Sequence, residues 1–401
     1  MREIIISRND LLEAINKTSV IANNKYKFLN LYWFHAGTGD TTKGTELTIC
    51  TSNQQGIAIK YHAAADITND TDNPIKFCLP VLNLKKMLRL LPEQSLKLEC
   101  HFSQLEIIHE NGSFIIPYSE DSDDYFKTPI TSPDIEAEIR HTIEIPDMRR
   151  YLDKTEAFMA DDEYRPVMSG ILFKWVEENS HSAYSHLNVV STDGHALALV
   201  ESKNAEMVPA HEIVLPRDTI KVLRRVLPKV GWIEIRWKKE KARRLSVIDS
   251  NRKVVMEIET ELVDGRYPNY PAVLPATTNL TIKVDRMKLL ASIKRLSLFA
   301  NEKSNLVEFR LIGGNTISLK SGDWEYGTSS TEKVPAEYGV APAICCHFGF
   351  RGQSACKILS LIPTENVLIK MRDNTTGCLF TQDDTADGDK LTYLLMPMMV
   401  D

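Results

Sequence analysis

The sequence predicts an α+β protein built as three tandem copies of one unit, each with two helices and antiparallel sheets. Two periodic markers predict it. The first is an extended run, a short helix, a stopping proline and a strand. It runs from Ile75 through Leu79-Pro80 to Pro92 and then Leu96-Lys97-Leu98-Glu99-Cys100. It recurs from Leu215-Pro216 to Pro228, and from Phe350-Arg351 to Pro363. The closing prolines lie 136 and 135 residues apart, and three such periods fill the 401 residues. The second marker is a strand followed by a helix with an acidic or amide residue at its start: Ile4 to Ser7 before Asn9-Asp10, Thr142 to Ile145 before Asp147, and Leu280 to Val284 before Asp285.

Each element follows from local pattern. Leu84, Met87, Leu88 and Leu91 recur at the spacing of one helical face, and Pro92 cannot continue the helix. The six helices are expected at Asn9–Ala22, Val81–Leu91, Asp147–Met159, Arg217–Leu227, Arg286–Leu298 and Gly352–Ile362. Phe28 to Ala36, Glu46 to Thr51 and Gly56 to Ala64 read as strands between polar turns. Gln104 to His109 and Ser113 to Tyr118 flank Glu110-Asn111-Gly112, a hairpin turn signal. In the second unit, Ser169 to Val176 and His186 to Val200 are β-rich, the latter broken by Thr192-Asp193-Gly194. Lys238 to Arg244 reads as a basic hairpin tip. The acidic, proline-bearing stretch 120–139 and Asp264 to Pro271 read as linkers. The expected domains are therefore 1–125, 140–275 and 276–401. The apolar end, Leu391 to Val400, reads as a strand to about Leu395 and then the wall of a groove.

Composition narrows the class. A hydrophobic content of 43% and a charged content of 25% suit a soluble globular chain. No apolar run reaches the roughly 20 residues of a membrane helix. The start, Met1-Arg2-Glu3-Ile4, enters a strand without a signal-peptide pattern, so a cytoplasmic location is expected. The seven cysteines are odd in number and form no CxxC pair, which points to reduced core residues and to neither a disulfide frame nor a metal site. The net charge of −6 is unevenly placed. The six expected helices hold sixteen Lys and Arg against six Asp and Glu, a surplus of ten, so the remainder carries −16. Basic helices on an acidic body are the electrostatic footprint of a polyanion partner. Contact with such a partner is expected from Lys85, Lys86 and Arg89, and from Arg217, Lys221, Arg224 and Arg225.

Catalytic signatures are few. His195 beside Asp193, with Ser191 and Thr192, admits an enzyme reading, but a hairpin turn with a surface histidine explains the same residues. The sequence holds no GxSxG, no HExxH and no phosphate loop ending in Lys-Ser or Lys-Thr. Gly37-Thr38-Gly39 and Gly313-Gly314-Asn315 fall in turns and open no helix. A protein-binding scaffold without nucleic acid would keep the repeat but has no use for the basic helices.

Several local runs carry a resemblance: Arg165-Pro166-Val167 with Gly170, Thr192-Asp193-Gly194-His195, Leu262-Val263-Asp264-Gly265-Arg266-Tyr267-Pro268, Asn301-Glu302-Lys303, Glu365-Asn366-Val367 and Met396-Pro397-Met398. In this order, on this triplicated frame, the chain resembles the bacterial replicative sliding clamps, the beta subunits of DNA polymerase III. The resemblance implies three copies of the DNA-clamp fold and a head-to-tail homodimeric ring around double-stranded DNA. It implies no catalysis and no cofactor. It implies docking of the DNA polymerase III alpha subunit, a clamp loader and other proteins with clamp-binding motifs. By resemblance Lys25 touches the DNA backbone, and Phe114, Ile116, Leu298 and Phe299 lie at the dimer interface. The partner groove is implied at Met168, Thr192, Gly194, His195, Leu197, Pro268, Val273, Leu394, Met396, Pro397 and Met398. Ala196, Ala272, Ser354 and the ending Met399-Val400-Asp401 depart from the family pattern, which implies altered chemistry at the groove rim.

Overall fold

Each of the three repeats pairs its first strand with the strand that follows its second helix. Arg2–Ser7 runs antiparallel to Ser95–Cys100. Ile139–Glu144 runs antiparallel to Trp232–Trp237, and Leu280–Asp285 to Asn366–Met371. The computed structural model describes residues 2–21, 31–37, 46–53, 57–68, 75–118, 139–162, 164–177, 185–205, 211–237, 243–340, 346–383 and 388–400. Lys25, Cys345, most of the expected linker 120–139 and most of the tip 238–244 lie outside the described residues. Among the described residues no helix is long and apolar enough to cross a membrane.

Among the described residues, six α-helices follow the periodic pattern: α1 (Arg8–Thr18), α2 (Val81–Leu90), α3 (Ile145–Thr155), α4 (Arg217–Val226), α5 (Arg286–Ser297) and α6 (Gly352–Leu361). The expected starts shift slightly. Ser7, not Asn9 or Asp10, caps α1, its hydroxyl accepting from the Asp10 N–H at 3.0 Å. Asp285 caps α5 by accepting from the Lys288 N–H at 2.9 Å. Asp147 sits inside the first turn of α3, where a carboxylate still favours the positive helix end.

Each second helix ends against an arginine from the first helix of its repeat. The Arg8 guanidinium donates to the Leu88 carbonyl at 2.7 Å and to Arg89 at 3.3 Å. Arg149 donates to Pro228 at 2.9 Å and to Leu227. Arg286 donates to Thr364 at 2.9 Å and to Leu359 at 3.0 Å. The last carbonyls of a helix lack partners within it and carry its negative pole, so a guanidinium there satisfies both needs.

The chain gathers into two compact units, Met1–Arg149 with Asp218–Leu262, and Arg150–Arg217 with Val263–Asp401. The first holds two antiparallel sheets. A five-stranded one has the order Asp66–Thr68, Arg2–Ser7, Ser95–Cys100, Gln104–His109, Gly112–Pro117. An eight-stranded one has the order Ile139–Glu144, Trp232–Trp237, Arg243–Ile248, Val254–Glu259, Ala58–Ala64, Glu46–Ser52, Leu31–Gly37, Ile75–Pro80. Ile4, Ile6, Leu11, Ile15, Leu84, Leu88 and Leu98 meet in one core, which is where the helical and the alternating patterns point their apolar faces. In α4, Ile220, Leu223 and Val226 are buried at helical spacing.

The second unit holds a twelve-stranded antiparallel sheet. Its order is His211–Leu215, Ile171–Glu177, Ser185–Thr192, Ala196–Ala205, Lys390–Leu395, Cys378–Gln382, Asn366–Met371, Leu280–Asp285, Thr328–Tyr338, Thr316–Asp323, Leu306–Leu311, His347–Arg351. Phe309, Phe348, Phe350 and Phe380 stack edge and face in its core. Cys50, Cys78, Cys100 and Cys378 are buried.

A charged cluster ties Ala58–Ala64 to its neighbouring strands in the first unit. His62 pairs through Nδ1 with Glu46 at 2.9 Å and through Nε2 with Glu257 at 3.7 Å. Glu257 also pairs with Lys60 and with Arg244, each at 3.3 Å. Burial alone would lower the His62 pKa, but the bonds to Glu257 and Glu46 carry it above the ordinary value. Burial alone would raise Glu257, but His62, Lys60 and Arg244 bring it down to about 2. Stability from His62 is complete below its ordinary pKa of 6.5 and is lost as pH rises through the raised value. Stability from Glu257 is complete above 4.5 and is lost as pH falls towards about 2. Thermal melting against pH should therefore peak between those ordinary values. His62→Gln should flatten the alkaline limb, a change on the order of 1 kcal/mol. An unchanged alkaline limb in the variant would refute this role for His62.

Candidate functional site

A tight turn makes the first wall of a cavity in the second unit. Between Ser185–Thr192 and Ala196–Ala205, the Asp193 carboxylate accepts from the backbone N–H of His195 at 2.8 Å and of Ala196 at 2.7 Å. The Thr192 hydroxyl donates to the Ala196 carbonyl at 2.8 Å and accepts from the Gly194 N–H at 3.1 Å. These bonds are how a Thr-Asp-Gly run folds locally. Gly194 takes φ +90°, a conformation that side chains rarely adopt. A Cβ there would find ordinary space, 3.6 Å from the Met168 Cε, so the backbone dictates this glycine and crowding does not.

The other walls come from distant segments. Met168 ends a turn closed by its N–H on the Arg165 carbonyl at 3.0 Å. Leu394 lies opposite Leu197 across the sheet and opposite Leu379 on its other side. Gly377 makes room for Leu394, since a Cβ would stand 2.7 Å from the Leu394 Cδ1. After the strand ends at Leu395, the Met396 N–H donates to the His195 carbonyl at 2.9 Å. Tyr267 and Tyr270 pack beneath, with Leu172, Val190 and Val214. The Tyr270 hydroxyl accepts from the Asn188 amide at 3.1 Å, and burial raises the Tyr267 pKa.

The cavity measures about 160 Å³ and is lined by Met168, Thr192, Gly194, His195, Ala196, Leu197, Pro268, Asn269, Tyr270, Val273, Leu394 and Met396. Nine of the eleven groove residues expected from sequence are in that set. Pro397 and Met398 are not: the Met398 N–H turns away to the Gly349 carbonyl at 2.8 Å. Ala196, Asn269 and Tyr270 are additions to the expected set, although Asn269 and Tyr270 sit in the linker run that ends in Pro271. Met396 and Val273 are exposed, while Leu197 and Leu394 are buried. Such a site has an apolar floor, a flexible thioether rim and few polar groups, and it suits an apolar peptide side chain better than chemistry. The Asp193 carboxylate is engaged by backbone N–H groups of its own turn.

The basic residues divide by role. Lys221, Arg224 and Arg225 project from the exposed face of α4, and Lys86 and Arg89 from α2. Arg217 is held in place: it donates to the Ala160 carbonyl at 2.6 Å and pairs with Asp161 at 2.9 Å. Lys85 donates to the Ser19 hydroxyl at 2.7 Å, and burial lowers its pKa. Phe114 and Ile116 lie on the edge strand Gly112–Pro117. Phe114 is exposed and stacks on His109, while Ile116 packs on the first core. Leu298 and Phe299 follow the end of α5 and are exposed.

Comparison with known proteins gives three findings. Residues 142–269 match the family model described as DNA polymerase III beta subunit, central domain. The chain is similar to the beta sliding clamp of Synechococcus elongatus, 25% identical over 60% of each chain. It is similar to that of Pseudomonas putida, 26% identical over 63% of each, and to that of Pseudomonas aeruginosa, 25% identical over 83% of this chain and 84% of the relative. In fold it is similar to the DNA polymerase III subunit beta of Pseudomonas aeruginosa, with a TM-score of 0.83, 21% identity and coverage of 99% and 100%. The beta subunit of Thermotoga maritima gives a TM-score of 0.80 at 22% identity over the full length of both chains. The central third of the chain thus matches the model of the DNA polymerase III beta subunit central domain, and its whole length shares the fold of the solved beta subunits.

Proposed function

We propose that this protein is a DNA sliding clamp. Two copies close head to tail into a ring around duplex DNA, without reading its sequence, and tether the replicative polymerase to its template. The domains of the ring are 1–125, 140–275 and 276–401. The protein acts in the cytoplasm and catalyses nothing itself. The alpha subunit of DNA polymerase III, the clamp loader and other proteins with clamp-binding motifs dock by inserting apolar peptide side chains into the cavity at Leu197, Leu394 and Met396. The exposed cations of α2 and α4 hold phosphates loosely enough to slide.

One observation carries the ring: the same junction is built twice inside the chain. Val254–Glu259, the last strand of the second repeat, pairs with Ala58–Ala64 of the first, Ile258 opposite Ile59. Lys390–Leu395, the last strand of the third repeat, pairs with Ala196–Ala205 of the second, Tyr393 opposite Ala198. The last strand of the first repeat, Gly112–Pro117, is a sheet edge. In the third repeat, Thr328–Val334 is paired along one side only, with Thr316–Asp323, among the described residues. These are the two halves of a third junction, and a second copy supplies the partner that each of them lacks. Phe114, in the place of Ile258 and Tyr393, is 37% exposed where those two are at most 1% exposed. Exposed apolar groups on an open strand edge mark an interface.

Light scattering should show a dimer at micromolar concentration. After loading on nicked circular DNA the protein should be retained, and should run off once the circle is cut. A monomer throughout, or equal retention on linear DNA, would overturn the reading.

A further inference from the structure

The junctions inside the chain share a second bond, between helices. In the first compact unit the Lys17 ammonium, on the tenth residue of α1, donates at 2.8 Å to the carbonyl of Val226, the last residue of α4. In the second unit Lys154, the tenth residue of α3, donates to the carbonyl of Leu361, the last residue of α6. Burial lowers the pKa of both lysines, so each bond is formed in partly dry surroundings. The first helix of one repeat thus caps the second helix of the next, alongside that helix's own arginine.

The third set of positions is divided between the two ends of the chain. The tenth residue of α5 is Arg295, and the last residue of α2 is Leu90. Arg8 caps the Leu88 and Arg89 carbonyls of α2 and leaves the place that Lys17 and Lys154 fill in the other two helices. The Leu90 side chain is 86% exposed. Arg295 is already oriented: its Nε donates to Glu332 at 2.7 Å and its Nη2 at 2.6 Å. That two-pronged grip leaves Nη1 directed away from Glu332.

We propose that Arg295 is the closing cation of the ring, donating through Nη1 to the main-chain carbonyl of Leu90 in the second copy, with Glu332 as its positioning residue. The inference rests on the ring reading. It names the bond that the two internal junctions repeat and the outer one must supply. An arginine held by Glu332 arrives with its side chain ordered, which lowers the entropic cost of a contact made between separate molecules.

The test is the dimer dissociation constant, from sedimentation or dilution light scattering, for the wild type, R295M, R295K, E332Q and K154M. R295M should weaken the dimer about tenfold or more, the scale of a cation at a partly buried helix C-terminus. R295K should stay within about threefold of the wild type, because lysine serves in both internal contacts. E332Q should fall between them. K154M should lower the melting temperature and leave the dimer constant where it was. A wild-type dimer that R295M leaves unchanged, or an R295K variant as weak as R295M, overturns this inference alone. A wild-type chain that stays monomeric at micromolar concentration overturns the ring reading as well.

Discussion

A chain cut after Leu395 will fold, dimerise and encircle DNA, and will bind an apolar peptide of the Gln-Leu-x-Leu-Phe type at least about 100-fold more weakly, the scale of losing a central anchor contact. The cut spares the sheet, because Lys390–Leu395 completes its pairing with Ala196–Ala205 and Cys378–Gln382 before Met396 begins. It removes the thioether wall of the cavity and the Met396 N–H bond to His195. Met396→Ser in the intact chain separates the two contributions, since it keeps the backbone bond and loses the wall. Fluorescence anisotropy with a labelled peptide reads both variants. Intact-level affinity in the truncated protein would remove the cavity from the proposal while leaving the ring.

Reversing Lys221, Arg224 and Arg225 to Glu will release the ring from DNA at salt concentrations that the wild type tolerates. These three stand on one exposed face of α4, away from Ile220, Leu223 and Val226, so the helix should survive the change. Arg217 is excluded because it anchors Ala160 and Asp161. Each lost phosphate contact should lower the slope of log affinity against log salt by about 0.9, so a loss of about two to three in that slope is expected, equal for all DNA sequences. An unchanged slope would show that α4 faces elsewhere. Matching reversal of Lys86 and Arg89 would then test α2 in its place.

Helices and hairpins are legible in the sequence because they are local. The apolar spacing of Leu84, Met87, Leu88 and Leu91 and the stop at Pro92 define α2 to within a residue. The groove residues are reached only through resemblance: nothing in the spacing of Met168, Thr192 and Leu394 brings them together. The arginine caps leave no periodic trace, because Arg8, Arg149 and Arg286 do not hold the same helical position, although they do the same job. Residue type alone makes Asp10 a candidate cap, but Ser7 already stands in the right backbone conformation. The pairing of Val254–Glu259 with Ala58–Ala64 has no local signal at all, since register between distant strands is set by packing.

That last pairing also sets an order of events during synthesis. Arg2–Ser7 can zip to Ser95–Cys100 once the first repeat has left the ribosome. Ala58–Ala64 must wait for Val254–Glu259, and at ribosomal speed the delay is on the order of ten seconds. Through that interval one side of the strand lies open, a template for aggregation. The residues that face the late strand include Lys60, so the edge is charged while it waits and neutralised by Glu257 when its partner arrives. The cluster that tunes the finished fold to pH also guards the unfinished one.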